Sequence, residues 1–326
     1  MSKIRRAVGL MSGTSLDGID AALIDTDGRN LVRPKAVCHL TYNAGFRAEL
    51  HEALKLAANH PRPAQISSDL SAVSRRLSVL HAELVEELLE KAGEVAGNVD
   101  VVGFHGQTVL HRPEAGITIQ IGDGEWLAEE VGIPVVDQFR VSDVAAGGEG
   151  APFAPAYHRA IVFASADQLG GPVVVVNIGG VSNVTFLDGD EDPIAFDTGP
   201  GNALLDDWVR QHTGEPYDEG GELGRSGKVD QALLANLMDN GFFAKSPPKS
   251  LDRNDFSARI LAGLSPADGA ATLTAFTAKV VAAASLHFPK TPGSWIICGG
   301  GRHNNGLMTA LSQTIPQEVM SAEDVG

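Results

Sequence analysis

The sequence has little cysteine. Cys38 and Cys298 are the only two in 326 residues, so no disulfide framework holds the fold. Both lie in apolar, strand-like runs and read as buried free thiols rather than a bridge. Basic residues are in deficit: 25 Lys and Arg stand against 41 Asp and Glu, a formal net charge of −16. That balance argues against nucleic acid or an anionic membrane as partner, and leaves any anion to be held by local groups. No apolar run reads as long enough to span a bilayer. The basic start, residues 1–6, runs into a glycine turn with no signal-peptide cleavage region, so a cytoplasmic protein is expected. Both common phosphate loops are missing: there is no G-x-x-x-x-G-K-[ST] and no strand-linked G-x-G-x-x-G.

What remains is ordinary for a soluble globular chain, with 43% hydrophobic and 20% charged residues and length enough for two cores. The most informative stretch is Val8-Gly9-Leu10-Met11-Ser12-Gly13-Thr14-Ser15-Leu16-Asp17-Gly18-Ile19-Asp20. Apolar runs at 7–11 and 21–24 flank a turn of small and hydroxylated residues, which predicts a strand–turn–strand hairpin. Gly13 and Gly18 permit positive φ and close approach of a ligand. Ser12, Thr14 and Ser15 offer hydroxyls, and successive backbone N–H groups can cradle an anion. Asp17 and Asp20 add carboxylates able to hold a divalent metal through water. Phosphate donors beside acids for magnesium suit a nucleotide; the plainer reading is a polar turn facing water.

Further along, leucines at three- and four-residue spacing predict a long amphipathic helix over 69–92 with a buried stripe. A buried strand over 99–104 delivers His105-Gly106-Gln107-Thr108 to its carboxyl end, where ligands gather in open α/β sheets. His105 reads either as a site residue or as a satisfied structural histidine. Residues 137–152 read as a polar, Gly-rich crossover. Its Arg140 suits a bidentate carboxylate clamp or an interdomain salt bridge equally well. The second half repeats the opening theme: a Val-rich strand over 173–178, the turn Gly179-Gly180-Val181-Ser182-Asn183, and a returning strand. A strand over 194–196 presents Asp197 at its carboxyl end, beside Gly199 and Gly201. That carboxylate is a general-base candidate, with a turn or helix-capping acid as the plainer reading. Residues 218–227 read as a mobile loop or lid. The triple glycine Gly299-Gly300-Gly301 follows a strand over 295–298 and lets a flat ring or phosphate lie on the backbone.

Taken together these segments resemble the anhydro-N-acetylmuramic acid kinases. The resemblance covers nearly the whole chain. It rests on residues 9–20, His105 to Thr108, Gln120-Ile121-Gly122-Asp123, Phe139-Arg140 onward to Pro152, Asn177 to Asn183, Phe196 to Asn202, and Cys298 to Asn304. It implies an α/β chain of two RNase H-like domains of the actin-like ATPase kind, with a nucleotide cleft between them. The expected domains are 1–146 and 147–326. The two hairpin turns become paired phosphate loops: Gly13, Thr14, Ser15, Leu16, Asp17, Gly18, Ile19 and Asp20 on one side, Gly179, Gly180 and Ser182 on the other. Gly299, Gly300 and Gly301 become the adenosine-side loop. Asp197 matches the family's catalytic base. His105, Gln107, Thr108 and Arg140 match sugar-side motifs, and the charge of Arg140 suits a lactyl carboxylate.

The activity implied is hydrolytic opening of the 1,6-anhydro ring of anhydro-N-acetylmuramate with phosphorylation of O6 from ATP, in recycling of cell-wall fragments. ATP and Mg²⁺ are the implied cofactors, with Asp17 reaching the metal through water, and a homodimer is the implied assembly. Two features depart from the family. Leu251-Asp252 stand before Arg253 where a threonine–glycine pair is usual, and family members continue past residue 326 through a further motif and helix. That second departure implies a shortened or impaired chain. A nucleotide-binding fragment and an actin-like regulatory ATPase are accordingly the competing readings.

Overall fold

The computed structural model describes residues 3–13, 16–60, 62–164, 169–251, 256–257 and 261–325. The chain divides into two compact units, Met1–Ala151 and Pro152–Gly326. The division falls five residues later than the sequence placed it, between the Gly-rich run and Pro152.

In the first unit the strands are β1 (Arg5–Ser12), β2 (Gly18–Thr26), β3 (Val32–Thr41), β4 (Val101–Phe104), β5 (Gln107–Arg112), β6 (Ile117–Ile121) and β7 (Val135–Val136). Five of them form one sheet in the order β3-β2-β1-β4-β7, and β5 pairs with β6 in a separate ribbon. The first three strands are an antiparallel meander, while β4 joins β1, and β7 joins β4, in parallel. Parallel neighbours need a crossover. Here the crossover before β4 contains the helices Ala44–Asn59 and Ser71–Ala92. Asn43 caps the first, its side chain accepting the Phe46 N–H at 2.9 Å, and Phe46, Leu50, Ala53 and Ala57 form its buried stripe. The second buries Leu77, His81, Leu84, Val85 and Leu88 and ends at Gly93, whose φ of 67° only glycine adopts without strain.

The second unit contains β8 (Val173–Ile178), β9 (Val181–Leu187), β10 (Ile194–Pro200), β11 (Ser294–Cys298) and β12 (Glu318–Ser321). Their order, β10-β9-β8-β11-β12, repeats that of the first sheet, again with an antiparallel meander followed by parallel additions. The helix Pro266–Ala283 packs on this sheet and on the helix Ala203–Thr213. Together with the turn that follows, Pro266–His287 is the one helix among the described residues long and apolar enough to cross a membrane. This corrects the expectation that no such run exists. With 67% of that apolar window buried, packing within its own unit accounts for its composition.

Three local expectations also change. Phe139–Ala145 is a helix, where the sequence read an irregular crossover. Residues 218–227 are folded, not a loose lid: the Asp218 carboxylate accepts the N–H groups of Leu223 and Gly224 at 2.8 and 2.9 Å and secures two short helical turns. And β10 runs on to Pro200, so Asp197 lies inside a strand rather than at its end.

Candidate active site

The first hairpin turn is fixed by burial. Leu16 adopts a φ of 54°, which a leucine occupies only at a cost, and its side chain is 1% exposed in the core. Its N–H donates to the Gly13 carbonyl at 3.2 Å, and its own carbonyl accepts Arg47 Nε at 2.8 Å. Ile19 is fully buried, so Leu16 and Ile19 can offer a ligand backbone only. Thr14 and Ser15 lie outside the described residues. Asp17 is exposed, and its carbonyl accepts the Tyr42 N–H. Gly18 starts β2 where a Cβ would meet the Leu40 carbonyl at 2.2 Å, so it serves strand packing. The Asp20 carboxylate pairs with His39 Nδ1 at 2.8 Å on the neighbouring strand. Ser12 is buried and donates to the Gly106 carbonyl at 2.8 Å, tying the end of β1 to the link between β4 and β5.

That link carries the second group. Gly106 has a φ of 66°, and a Cβ there would meet the Ile121 carbonyl at 2.5 Å, so glycine is required. The same Gly106 carbonyl accepts His105 Nδ1–H at 2.6 Å. A carbonyl cannot donate, so the hydrogen sits on Nδ1 and Nε2 keeps its lone pair. Nε2 then accepts two N–H groups of Arg140, from Nη2 at 2.9 Å and Nε at 3.1 Å. Arg140 Nη1 donates to the Gly150 carbonyl at 2.7 Å. Burial first, and the Arg140 charge second, hold His105 below the ordinary histidine range and so keep it neutral. Arg140 is thus a half-buried cation held in part by His105 and by the Gly150 carbonyl.

On the ribbon, Gln107 is buried with no hydrogen-bond partner for its Oε1. Thr108 accepts from Gln120 Nε2 at 3.3 Å, and Gln120 also donates to Thr118, which contacts His111 Nδ1 at 3.0 Å. His111 lies close enough to Arg140 for that charge to lower its pKa, after burial. Sequence reasoning named Gln107 and Thr108 but not Thr118 or His111. Only the register that puts Thr108 opposite Gln120 and His111 opposite Thr118 assembles them.

In the second unit the hairpin turn is pinned by backbone. The Gly179 carbonyl accepts the Asn202 N–H at 2.8 Å, and the Gly180 carbonyl accepts those of Gly201 and Ala203 at 2.9 and 3.2 Å. Gly201 is needed for that approach, since a Cβ would meet the Gly179 carbonyl at 2.3 Å. Ser182 is fully buried, and its hydroxyl is spent on Thr198 Oγ1 at 2.6 Å and the Gly199 carbonyl at 3.1 Å. These bonds mark a β-bulge: Asp197 pairs with Asn183 and Gly199 with Ser182, leaving Thr198 as the extra residue. Gly299 has a φ of 74°, and a Cβ on it or on Gly301 would strike Ile178 and its neighbour Asn177. Close packing on the end of β8 therefore explains these two glycines, while a Cβ on Gly300 would make only ordinary contact with Asn202 at 3.9 Å.

Asp197 is a strongly perturbed acid. Burial pushes its carboxyl up to about 6, against one opposing contact, the Leu251 N–H that donates to Oδ2 at 2.9 Å. Its own N–H donates to the Lys249 carbonyl at 3.1 Å. A half-buried carboxylate with a pKa near 6 and the Leu251 N–H to orient it is suited to taking a proton from water. Neither Lys249 nor Leu251 was legible as a functional residue, since their hold on Asp197 spans more than fifty positions.

Among the described residues no three His, Cys, Asp or Glu side chains converge on one point. The donor set does not fit an all-protein metal cage. Asp17 is exposed, and a magnesium ion there would be reached through water.

The family model for anhydro-N-acetylmuramic acid kinase matches residues 5–326. The anhydro-N-acetylmuramic acid kinase of Rhizorhabdus wittichii is 52% identical over 309 residues, covering 94% of this chain and 83% of that protein. The one from Rhodopseudomonas palustris strain HaA2 is 50% identical over 323 residues, covering 98% and 87%. In chain path there is a distant likeness to component A of the (R)-2-hydroxyglutaryl-CoA dehydratase of Acidaminococcus fermentans, with a TM-score of 0.46 at 12% identity over 98% of this chain and 93% of that one. With a match from residue 5 to residue 326, the chain belongs to the anhydro-N-acetylmuramic acid kinase family.

Proposed function

We propose that this chain is an ATP-dependent kinase that opens the 1,6-anhydro ring of anhydro-N-acetylmuramate with water and phosphorylates O6, giving N-acetylmuramate 6-phosphate and ADP. The observation that carries this reading is the half-buried Asp197 carboxyl, raised to about 6 and oriented by Leu251 N–H, in a chain half identical to kinases named for this sugar.

Asp197 takes a proton from water as the oxygen forms its bond to the anomeric carbon. The C1–O6 bond breaks, and O6 leaves with the electron pair. Ordinary glycoside hydrolysis needs a second carboxylic acid to protonate that oxygen. Here the γ-phosphorus of ATP accepts O6 instead, and the bond to the ADP oxygen breaks. The proton on Asp197 then returns to solvent, so one protein base suffices. Phosphoryl transfer asks of the protein mainly position and charge neutralisation. Residues 13–20, 179–182 and 299–301 are assigned to the nucleotide. Magnesium, when bound, neutralises the phosphate charge, and Asp17 would hold it through water. Arg140, braced by His105 and Gly150, binds the lactyl carboxylate; Gln107 and Thr108 face the sugar. The setting we assign is the cytoplasm, in cell-wall recycling, with the chain working as a homodimer and without nucleic acid or membrane.

A coupled assay for ADP, with and without anhydro-N-acetylmuramate, tests the reading. Sugar-dependent ADP release with a sugar 6-phosphate as product is expected. Release that ignores the sugar would make the chain an ATPase, and silence with ATP bound would make it a nucleotide-binding fragment.

A further inference from the structure

Asp197 depends on a stretch of chain with neither helix nor strand. Residues 245–251 are irregular, yet the Lys249 carbonyl and the Leu251 N–H hold the backbone and the carboxylate of Asp197. Two backbone bonds are a weak hold on a loop whose ordering costs conformational entropy. The stronger anchor is the Lys249 side chain. An ammonium has three donors, and three acceptors surround Nζ: the carbonyls of Phe242 at 3.3 Å and Phe243 at 3.4 Å, and His287 Nε2 at 3.4 Å. The two carbonyls close the short helix Gly241–Ala244, whose last turn has acceptors to spare. The rings of Phe196 and Phe242 lie 5.4 and 5.0 Å from the charge, within cation–π reach.

The cage is continuous with the catalytic strand. Phe196 precedes Asp197 on β10, and His287, from the turn Ala284–His287 that closes the long core helix, meets Phe196 edge-on at 5.4 Å. Among the described residues, the charged and titratable groups facing the ammonium are His287, which accepts from it, and Lys245, whose like charge adds to burial in lowering the Lys249 pKa. Among the described residues, burial and the Leu251 N–H are the causes that move Asp197.

We propose that Lys249 is a positioning residue for the reaction. Its ammonium, fastened in a cage of carbonyls, imidazole and phenyl rings, locks residues 249–251 against β10 and keeps the Leu251 N–H on Asp197 Oδ2. This deepens the assignment of Asp197 as the base and rests on it for its catalytic meaning, but the tether itself is a property of the fold.

Lys249→Met keeps the length of the side chain and removes its three donors. In the full chain, amide hydrogen exchange read by NMR should show Leu251 losing protection about tenfold or more, while amides of the helix Pro266–Ala283 keep theirs. In the pH profile of kcat/KM for the anhydro-sugar at saturating ATP, the midpoint of the acid limb should move by about half a pH unit or more. It moves upward if the lost N–H dominates and downward if water reaches the carboxylate. Lys249→Arg keeps the charge without the three-point fit and should fall between. If the methionine variant does not fold, His287→Phe removes one acceptor, keeps the ring, and should show the same changes at smaller size. Leu251 protection and an acid limb both at wild-type values in a folded variant overturn the proposal, whatever happens to kcat. No sugar-dependent ADP release from the wild type would defeat the kinase reading instead, and the exchange measurement would still decide on Lys249.

Discussion

The two units share a strand order and differ in how each fixes its first turn and its charge. In the first, the turn after β1 is held by a side chain, Leu16, driven into the core in a left-handed conformation. In the second, the turn after β8 is held by backbone, with the Gly179 and Gly180 carbonyls taken by residues 201–203. The first unit half-buries a cation, Arg140, against His105 and the Gly150 carbonyl; the second half-buries an acid, Asp197, with the Leu251 N–H to orient it. Topology therefore sets where the turns lie, and local contacts set what each can do. The first turn adds a buried side chain to the backbone bonds of Leu16 and Asp17. A turn fastened through its carbonyls is rigid before any ligand arrives.

The sharpest test of this contrast is Asp197→Asn. It should abolish turnover, by about 10²–10⁴-fold, the range for a general base, while ATP still binds. It should also stabilise the protein. The folded pKa, about 6, lies above the ordinary 3.8. Such a group favours the native state fully below about pH 4, and that favour is lost as pH rises through 6. At pH 8 the native carboxylate is ionised and buried at a cost on the order of 2–3 kcal/mol, and asparagine cannot incur it. The melting temperature of the variant should exceed that of the wild type at pH 8, with the gap closing near pH 4. A gap that persists at pH 4 would mean that burial of the charge is not its source.

Next in size is Leu16→Ala. Emptying a fully buried leucine should cost about 2–5 kcal/mol, measured by urea unfolding, and should weaken ATP binding because the turn loses its anchor. Gly201→Ala is the counterpart in the second unit. Its Cβ would press on the Gly179 carbonyl, and backbone must yield, at about 1–3 kcal/mol. If Leu16→Ala leaves ATP affinity unchanged while Gly201→Ala lowers it, the contrast drawn between the turns is reversed.

The smallest effect is expected at His105→Gln. An amide oxygen can still accept from Arg140 but cannot be protonated. In an Asp197→Asn background, calorimetry should show sugar affinity reduced no more than about tenfold at pH 7. The wild-type histidine, once charged on acidification, would repel Arg140 and lose its lone pair, so affinity should fall at pH below the ordinary histidine range. The glutamine variant should not show that fall. Parallel loss in both would remove His105 from the support of Arg140.

Much of this was readable from residues because it is local. The hairpins, the leucine stripe of Ser71–Ala92 and the repeated meander follow from apolar periodicity and glycine placement, and both sheets bear them out. The errors have a common origin in contacts between distant segments. Asp197 was placed at a strand end because glycines follow it. The bulge that carries β10 to Pro200 depends on Ser182, fifteen residues upstream of the acid. Residues 218–227 looked loose because they are rich in glycine. Two of those glycines are there for contact instead: Gly221 against Asn304 and Gly227 against Ala267, where a Cβ would come within 2.1 and 2.0 Å. The Phe139–Ala145 helix was missed because its flanks are polar and short of leucine. Nothing near Lys249 in sequence announces a three-acceptor cage.

The extra residue in β10 has a further consequence. In a plain strand, the direction of each side chain is geared to every other, so slipping one tooth turns the whole row. Thr198 acts as a clutch between two parts of one strand. Upstream of it the pairing with β9 sets the aim of Asp197; downstream, residues 199–203 keep their own phase and stay seated on the turn at 179–180. Drift in either half need not rotate the other, and deleting Thr198 would mesh them again, forcing the chain to give up the acid's heading or the turn's seat.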